Sequence, residues 1–313
     1  MEVKDYKPGD ERAIIQLFEL VFGKPMSLEY WTWRFANNPC EKLMIKLMWD
    51  GDKLVGHYAA SPVQMHLHQK LLLTGLSMTT MTHPDYTGLG IFQQLSESLY
   101  EKMGGNDNAA AVWGFPNNNS HRGFIKNLAW KDISILPMFS CNNTLLRPKQ
   151  LEGAKVTDRF SKVHEEAYQT NYVDYAVRIN KNSAYLNWRY VDNPVNEYKI
   201  FDFTELNAGF VVCKEYTAGN DGMKQVDIID WCVPADEKMT RNVIQHLAAF
   251  YPAANYSQFN MWMPLGDERH LQLEKLGFAN HAPVTYWGIR TLQGSDLSAP
   301  GDWWIQLGDS DVY

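Results

Sequence analysis

The sequence carries one ten-residue pattern twice, and this repeat limits the folds that the chain can adopt. Residues 30–39 read YWTWRFANNP, and residues 185–194 read YLNWRYVDNP. Tyr, Trp, Arg, an aromatic residue, Asn and Pro occupy the same places in both copies, without a gap. Since such a match is hard to obtain by chance, the repeat predicts two copies of one structural unit.

The predicted secondary structure follows the same order after each copy of the pattern. Two strands separated by a turn come first, and a third strand then runs into a proline, Pro84 or Pro234. A helix, a short strand and a further helix follow. Alternation of this kind indicates sheets covered by helices. We therefore predict an α/β (α+β) fold of two tandem units, each a mixed central sheet flanked by helices, with domains at 1–147 and 148–313.

Length and charge narrow the possible functions. The chain has 313 residues, which suits two domains of ordinary size. It has 29 Lys and Arg against 36 Asp and Glu, a formal net charge of −7, and no long basic run. Nucleic-acid binding, and with it aminoacyl transfer from tRNA, is therefore not expected. No apolar stretch is long enough to predict a membrane span, and the first residues lack the apolar core of a signal peptide.

The cysteines and histidines do not form a recognisable metal or disulfide pattern. The four cysteines are widely scattered: Cys40, Cys141, Cys213 and Cys232. Reduced thiols in a cytoplasmic protein are the expected interpretation. His66 and His68 share one face of a predicted strand, but no Asp, Glu or Cys stands near them. We predict no metal site.

One joint between a predicted strand and a predicted helix is rich in glycine. Residues 81–92 read MTHPDYTGLGIF, with Gly88 and Gly90 directly before the helix. Glycine tolerates φ > 0 and lets a ligand approach the backbone. The N–H groups at the start of the helix converge on one spot and would bind an anion there. An ordinary strand-to-helix turn is the alternative interpretation of the two glycines alone.

The segments before and after this joint are predicted from hydrophobic periodicity and turn residues. The predicted strands and turns before it are 43–49, Asp50-Gly51, 54–67, Gln69-Lys70 and 71–82. Apolar residues then recur at Ile91, Leu95, Leu99 and Met103, which predicts a helix buried along one face. A short strand over 109–113 and a helix over 117–128 complete the first unit.

The strand, the joint and the helix together resemble motif A of the GNAT acyl-CoA N-acyltransferases. The segment 115–130, FPNNNSHRGFIKNLAW, is similar to motif B of the same family. The resemblance covers about residues 1–145, and the second copy resembles the fold more faintly. The chain thus looks like a tandem-GNAT protein, similar to acetyltransferases of sugar and polysaccharide pathways.

The resemblance implies an acetyl-CoA-dependent N-acetyltransferase that acts on the amine of a small molecule, for which an amino sugar is one candidate. Acyl-CoA would lie between two splayed parallel strands, and a backbone N–H near Met81 would polarise the thioester carbonyl. Asn117 or Asn118 would approach the pantetheine arm, or cap the following helix. The residues implied in acyl-CoA binding are Met81, Thr82, Thr87, Gly88, Leu89, Gly90, Ile91, Phe92, Asn117, Asn118 and Ser120.

The sequence departs from the family pattern where charge and proton transfer are concerned. Thr87 stands where the family has Gln or Arg, and Phe92 stands where it has Gly or Ala, which would crowd the helix start. Ile125, or Phe124 after a shift of one residue, takes the place of the tyrosine that acts as general acid. The strand 76–82 offers no carboxylate as a general base. A non-catalytic acyl-CoA-binding or interaction protein is therefore the alternative function.

The second copy lacks the glycines of the joint. When Pro234 is aligned with Pro84, Lys238 and Thr240 take their places, and Asp236 precedes them. A carboxylate there suits a helix start but repels a pyrophosphate. We therefore expect the second copy to bind no CoA and either to cover the substrate cleft or to form a dimer surface, so that a homodimer is one expected assembly.

Five residues are candidates for acceptor binding or proton transfer. His57 and Tyr58 lie on a strand that borders the acceptor cleft in the family, and an imidazole suits the work of a base. Asp309 or Asp311 of the C-terminal segment could replace the missing carboxylate, although a charged end on an edge strand is the alternative. Arg34 could contact an anionic or sugar substrate, but its Trp-Arg pair persists in the second copy, which favours a structural role.

Overall fold

The structure is a computed structural model, and it describes residues 1–68, 70–217, 222–294 and 296–313. Gln69, predicted to lie in a turn, is outside the described residues. The chain divides into two compact units, each built from three segments. Unit 1 comprises Met1–Ile135, Asn193–Val195 and Thr285–Pro300. Unit 2 comprises Leu136–Asp192, Asn196–Val284 and Gly301–Tyr313.

These units differ from the predicted domains at 1–147 and 148–313. The division falls between Ile135 and Leu136, inside a strand, and residues 285–300 return to unit 1. The reason is strand pairing. Residues 288–291 pair with a strand of unit 1, and residues 139–142 pair with a strand of unit 2. A boundary read from the sequence as a linker misses such an exchange, because no change of composition marks it.

The elements alternate along the chain as the sequence predicts. In unit 1 they are β1 (Glu2–Asp5), α1 (Glu11–Phe22), α2 (Leu28–Trp31) with a π-helical turn (Thr32–Ala36), β2 (Met44–Asp50), β3 (Lys53–Leu67), β4 (Lys70–Thr82), α3 (Ile91–Gly104), β5 (Ala111–Gly114) and α4 (His121–Asn127). The strand β6 (Lys131–Asn142) begins in unit 1 and continues in unit 2.

The remaining elements lie mainly in unit 2. They are β7 (Lys155–Thr157), α5 (Lys162–Tyr172), β8 (Val177–Ile179), α6 (Ser183–Tyr190), β9 (Lys199–Asp202), β10 (Phe210–Thr217), β11 (Lys224–Cys232), α7 (Glu237–Phe250), β12 (Tyr256–Met261), α8 (Glu268–Glu274) and β13 (Ala279–Thr291). The second half of β13 belongs to unit 1.

Each unit contains a mixed sheet with one parallel pair. In unit 1 the strand order is β1-β2-β3-β4-β5-β13, and β4 runs parallel to β5. In unit 2 the order is β6-β12-β11-β10-β9-β7, and β11 runs parallel to β12. In both units a helix, α3 or α7, connects the two parallel strands. The fold class predicted from the sequence, mixed sheets flanked by helices, is confirmed.

Both faces of the unit 1 sheet are covered because its central strands are apolar on both sides. Ile45 and Leu47 pack with α1 and α2, and their neighbours Met44 and Met48 pack with α3 and α4. Strands buried on both faces lose the simple alternation of apolar and polar residues. Each helix in turn buries one apolar stripe against the sheet. The ends of the parallel strands β4 and β5 form the candidate site.

Candidate functional site

The strand β4 contains a bulge shortly before its end. The register with β3 shifts between His57 and Ala59, which lie opposite Met81 and Met78. β4 therefore carries one extra residue at this place, which is a β-bulge. Thr79 within the bulge has a φ of 50°, a left-handed conformation that a β-branched residue adopts only under strain. Strain of this kind persists only where the surrounding structure holds it, and it is common at functional sites.

His57 holds the bulge from the neighbouring strand. Its Nδ1 lies 2.7 Å from the carbonyl oxygen of Thr79, and the side chain is fully buried. A carbonyl oxygen only accepts, so Nδ1 carries the proton and donates it. Burial lowers the pKa of His57 to about 4, against the opposing effect of this hydrogen bond. The ring is thus neutral, buried and engaged with the backbone, and this geometry does not favour the predicted role of His57 as a catalytic base.

Tyr58 also lies in the core rather than in an acceptor site. Its hydroxyl is 2.8 Å from Ser77 Oγ and 2.7 Å from Tyr100 Oη, and no part of the side chain is exposed. Burial raises its pKa to about 12. The side chains of β3 alternate normally here, with Tyr58 and Ala60 in one layer and Ala59 in the other, whereas on β4 the bulge puts Met78 and Met81 in the same layer. The predicted acceptor role of Tyr58 is corrected accordingly.

The two parallel strands of unit 1 pair briefly. β4 and β5 share the register pairs Gly75 with Val112 and Leu76 with Trp113. β4 then continues to Thr82, whereas β5 ends at Gly114. The bulged part of β4 thus runs beyond its parallel partner, with its backbone next to the place where β5 turns away.

The loop after β4 has the conformation that its glycines allow. Gly88 has a φ of 79° and Gly90 a φ of 72°, both left-handed. A Cβ at Gly88 would meet nothing within 4 Å, so conformation and not space requires glycine there. Residues 87–90 are exposed, and Gly90 is the N-cap of the fourteen-residue helix α3. The first N–H groups of α3 lack partners within the helix and face this exposed loop.

Phe92 does not crowd the start of α3, contrary to the sequence prediction. Its ring packs edge-on against Phe124 of α4, with centroids 5.0 Å apart, and against Tyr58 at 6.1 Å. A Cβ on Gly123 would lie 3.3 Å from the Phe92 ring, so α4 approaches α3 closely at this point. Phe92 therefore joins the two helices from inside the core and leaves the N-terminus of α3 open.

The asparagines after β5 serve different purposes. Asn117 Oδ1 accepts hydrogen bonds from the backbone N–H groups of Asn119 and Ser120, at 3.0 Å each, and from Ser120 Oγ. It closes the turn that begins α4, which is the capping alternative of the two predicted roles. Asn118 is exposed and makes no hydrogen bond to any described residue. Of the predicted pair, Asn118 is the one left available for a ligand.

The place of the family's general acid is filled by core residues. Phe124 is buried and packs on Trp130 with ring centroids 4.5 Å apart. Ile125 is half-buried and packs against the same cluster. Arg34, predicted to contact substrate, is 2% exposed and donates from Nε to the sulfur of Met78 at 3.2 Å. This contact joins the π-helical turn to β4, and it favours the structural interpretation of the Trp-Arg pattern in this copy.

The second Trp-Arg pair holds the C-terminal segment of unit 2. Arg189 is 2% exposed and donates to the backbone carbonyls of Gly308 and Ser310, each at 3.2 Å, and to that of Tyr313. A Cβ on Gly308 would lie 3.1 Å from the carbonyl oxygen of Ile229, so the segment passes directly over β11. Residues 303–310 are all buried.

The Gln306 side chain forms hydrogen bonds with the backbone of β11, at the place that corresponds to the bulge of β4. Its Oε1 accepts from the N–H of Trp231 at 2.8 Å, and its Nε2 donates to the carbonyl of Trp231 at 3.2 Å. The alignment of Pro234 with Pro84 places Trp231 on Met81. β11 also carries a bulge, since its register with β10 shifts at the same place. In unit 2 a side-chain amide of the chain itself therefore binds the backbone next to the bulge. In unit 1 the resemblance assigns a backbone N–H near the aligned Met81 to the thioester.

Asp309 is committed to a buried ion pair. Its Oδ1 lies 2.7 Å from Lys181 Nζ, which also lies 2.7 Å from Asp230 Oδ2. All three side chains are at most 1% exposed. Burial and pairing keep Asp309 inside unit 2, which does not favour its predicted role as a base at the acceptor. Asp311 is half-buried in the same unit.

The start of α7 differs from the start of α3, because the N-cap residue is Asp236 in α7 and Gly90 in α3. Asp236 is the N-cap of α7 and accepts from the N–H of Met239 at 2.6 Å. A carboxylate therefore holds one of the N–H groups that would bind an anion. The sequence analysis missed the buried triad of Lys181, Asp230 and Asp309, and the signal that could have indicated it is Asp230, an acidic residue inside the apolar run of β11.

The described residues show neither a metal-ligand group nor a membrane-spanning helix. They contain no group of three or more His, Cys, Asp or Glu side chains arranged to hold a metal ion. None of their helices is both long enough and apolar enough to cross a bilayer.

Comparison with known proteins finds a family match for the first part of the chain. Residues 2–131 match the family model described as an acetyltransferase (GNAT) domain. The search of curated proteins found no match. Solved structures do match. A GCN5-related N-acetyltransferase from Anabaena variabilis is 10% identical to this chain, with a TM-score of 0.70. The match covers 93% of this chain and 73% of the Anabaena chain.

Two further structures have similar values. A probable N-acyltransferase from Enterococcus faecalis is 13% identical, with a TM-score of 0.68 over 93% of this chain and 72% of its own. A GCN5-related N-acetyltransferase from Kribbella flavida is 14% identical, with a TM-score of 0.67 over 93% and 70%. Residues 2–131 therefore match a GNAT acetyltransferase domain, and most of the chain shares its fold with structures described as N-acyltransferases or N-acetyltransferases.

Proposed function

We propose that the chain is an acetyl-CoA-dependent N-acetyltransferase that acts on the amine of a small molecule, with an amino sugar as one candidate acceptor. The observation that carries the proposal is the exposed loop of unit 1 with two left-handed glycines at the N-terminus of α3, directly after the bulged strand β4. The match of residues 2–131 to the GNAT domain model supports the same activity.

The residues present fit the pyrophosphate of acyl-CoA. The N–H groups of the first turn of α3 have no partners within the helix, and the helix dipole adds to their attraction for an anion. The loop is open, because Phe92 turns into the core and Gly88 bears no side chain. Thr87 supplies no positive charge, so backbone donors alone would bind the phosphates. A thioester, when bound, supplies the acyl group that the amine accepts.

The backbone of β4 would orient the acyl group. In unit 2 the N–H of Trp231 points away from β10 and is bonded to Gln306. Met81 aligns with Trp231, and a backbone N–H near Met81, at the bulge of β4, would donate to the carbonyl oxygen of the thioester. His57 would act as a positioning residue, since it fixes the bulge that sets this direction.

One acyl-CoA site per chain is part of the proposal. In unit 2 Gln306 engages the backbone of Trp231, and Asp236 caps the helix start. Both features oppose cofactor binding there. The alternative function, non-catalytic acyl-CoA binding, is favoured by one observation: two of the three candidate bases, His57 and Asp309, are buried.

Calorimetry with acetyl-CoA and thiol-release assays test the proposal together. We expect one site per chain, and an affinity loss of about tenfold or more in Gly90→Glu, because a carboxylate would oppose the phosphates. The control is Lys238→Glu, at the place in unit 2 that aligns with Gly88, two residues before the aligned position of Gly90, and its affinity should equal that of wild type.

A panel of primary amines, including amino sugars, separates catalysis from binding. Release of CoA thiol that depends on one of the amines supports the transferase. Stoichiometric binding without release with any amine favours the alternative. Two sites per chain, or unchanged affinity in Gly90→Glu, would contradict the assignment of the cofactor loop.

A further inference from the structure

Unit 2 contains a cavity of about 650 Å³ on one face of its sheet, and polar side chains form part of its lining. The registers of four neighbouring strands, β10, β11, β12 and β6, place four polar residues in one row. They are Lys214, Asp227, Asn260 and Ser140. A row of polar side chains across the centre of a sheet is unusual, because such positions are normally filled by apolar residues.

Asn260 fixes the centre of the row. It is 2% exposed, its Oδ1 accepts from Ser140 Oγ at 2.8 Å, and its Nδ2 donates to Asp227 Oδ1 at 2.9 Å. Nδ2 also lies 3.1 Å from Gln225 Oε1. The amide thus holds the carboxylate in one orientation, and the site is preorganised before any ligand arrives.

Asp227 presents an unused acceptor to the cavity. The side chain is 4% exposed, and its second oxygen, Oδ2, makes no hydrogen bond or ion pair with the described residues. Burial raises its pKa to about 6, against the hydrogen bond from Asn260 and the charge of Lys214. A nearly buried carboxylate with a free oxygen is costly unless a donor completes it.

Lys214 presents the opposite charge at the next strand. It is half-buried, and burial lowers its pKa. Its ammonium lies 5.8 Å from the centroid of the Tyr313 ring and forms no hydrogen bond or ion pair within the described part of the chain. Lys214 and Asp227 are register partners, yet the two charges do not pair with each other. Each is free to bind a group of opposite charge.

We propose that this cavity binds a free α-amino acid, with the ammonium group on Asp227 and the carboxylate on Lys214. Directly opposed side chains on antiparallel strands stand about 5 Å apart. A ligand that carries both charges on one carbon fits between them, and one charge alone would leave the other protein group uncompensated. The cavity is larger than a small amino acid, and Tyr216, Met138 and Pro283 line it, which leaves room for a large side chain.

Titration calorimetry with each of the twenty common L-amino acids, one at a time at pH 7.5, tests the proposal. At least one should bind with one site per chain, and acetyl-CoA should not be required. Asp227→Asn and Lys214→Met should each weaken binding of that amino acid roughly ten- to hundredfold, the range expected for a charged hydrogen bond. The matched controls, Glu197→Gln and Lys199→Met, change charges outside the cavity and should bind as wild type does.

Analogues of the best-binding amino acid test the recognition of both charges. The corresponding amine, without the carboxylate, and the corresponding acid, without the amine, should each bind at least about tenfold more weakly. The proposal is overturned if none of the twenty binds with a Kd of about 1 mM or tighter, if neither variant differs from its control, or if a single-charge analogue binds as well as the amino acid.

A pH series on the wild type keeps the test decisive if a variant does not fold. The titratable groups that face Asp227 in the cavity are Lys214, Tyr216, His281 and Tyr313. Burial raises the pKa of both tyrosines, to about 12 for Tyr216, so they stay neutral. Affinity should fall as the pH drops through about 6, because Asp227 loses its charge, and it should fall equally in His281→Gln. Constant affinity between pH 7.5 and 5 would contradict the role of Asp227.

Discussion

Replacing Lys181 by Met would leave two buried carboxylates without their cation. In the native unit the Lys181 ammonium lies 2.7 Å from both Asp230 and Asp309, and all three side chains are essentially unexposed. Among the residues that the structure describes, the remaining donors would be Tyr190 Oη, 2.9 Å from Asp230, and the backbone N–H of Gln306, 2.8 Å from Asp309. Removing one member of a buried pair typically costs about 3–5 kcal/mol.

Urea unfolding measures this loss. With a slope of about 2 kcal/mol per M, a loss of 4 kcal/mol would move the midpoint of the affected transition down by about 2 M. Tryptophan fluorescence follows it, since Trp231, Trp303 and Trp304 are all buried in unit 2. Lys224→Met, which removes an exposed pair with Glu215, serves as the control and should not move the midpoint measurably.

The dependence on pH separates electrostatics from packing. Burial already raises the pKa of Asp309 against the charge of Lys181, so in Lys181→Met the folded-state pKa of Asp309 would lie further above its unfolded value, and the folded state binds more protons. The loss of stability should therefore be smaller at pH 5 than at pH 8. Adding Asp309→Asn to the variant should recover part of it. A loss below about 1 kcal/mol, or an equal loss at both pH values, would refute the reasoning.

Three other predictions follow from contacts in the two units. Trp33→Ala and Trp188→Ala, each buried, should lower stability by about 3–5 kcal/mol while the acceptor KM changes little, as thermal unfolding and steady-state kinetics would measure. His57→Phe should cost about 1–3 kcal/mol, because the carbonyl of Thr79 loses its donor, and the pH–rate profile between pH 5 and 8 should keep its shape. The wild type should lose stability as the pH falls from about 6.5 through 4, since the pKa of His57 is depressed in the folded state, and calorimetric melting should show that His57→Phe reduces this loss.

Periodicity and turn chemistry predicted much of the fold. Leu95, Leu99 and Met103 are buried along α3, as their spacing indicates, and Gly88 and Gly90 have the left-handed conformation for which glycine is suited. These features depend on residues close in sequence, so local physical rules are sufficient to predict them.

The candidate site was harder to predict, because its details depend on contacts distant in sequence. The bulge at Thr79 is stabilised by His57 from another strand, and no residue type in β4 indicates a bulge at this place. Asp309 appeared available as a base because its partner Lys181 lies far away along the chain. A charged residue inside an apolar segment, as Asp230 is, signals a buried pair but does not identify the partner.

Gln306 acts on unit 2 as a ligand that is covalently attached to its own site. A tethered group has an effective concentration of millimolar order or higher, set by the length of the connecting chain rather than by the solution. A free amide that competes for the N–H and carbonyl of Trp231 must exceed this value, so unit 2 is in practice always saturated. Hydrogen exchange at the Trp231 amide would then report how often the segment 303–310 opens, and the same opening sets the rate at which any external molecule could reach β11.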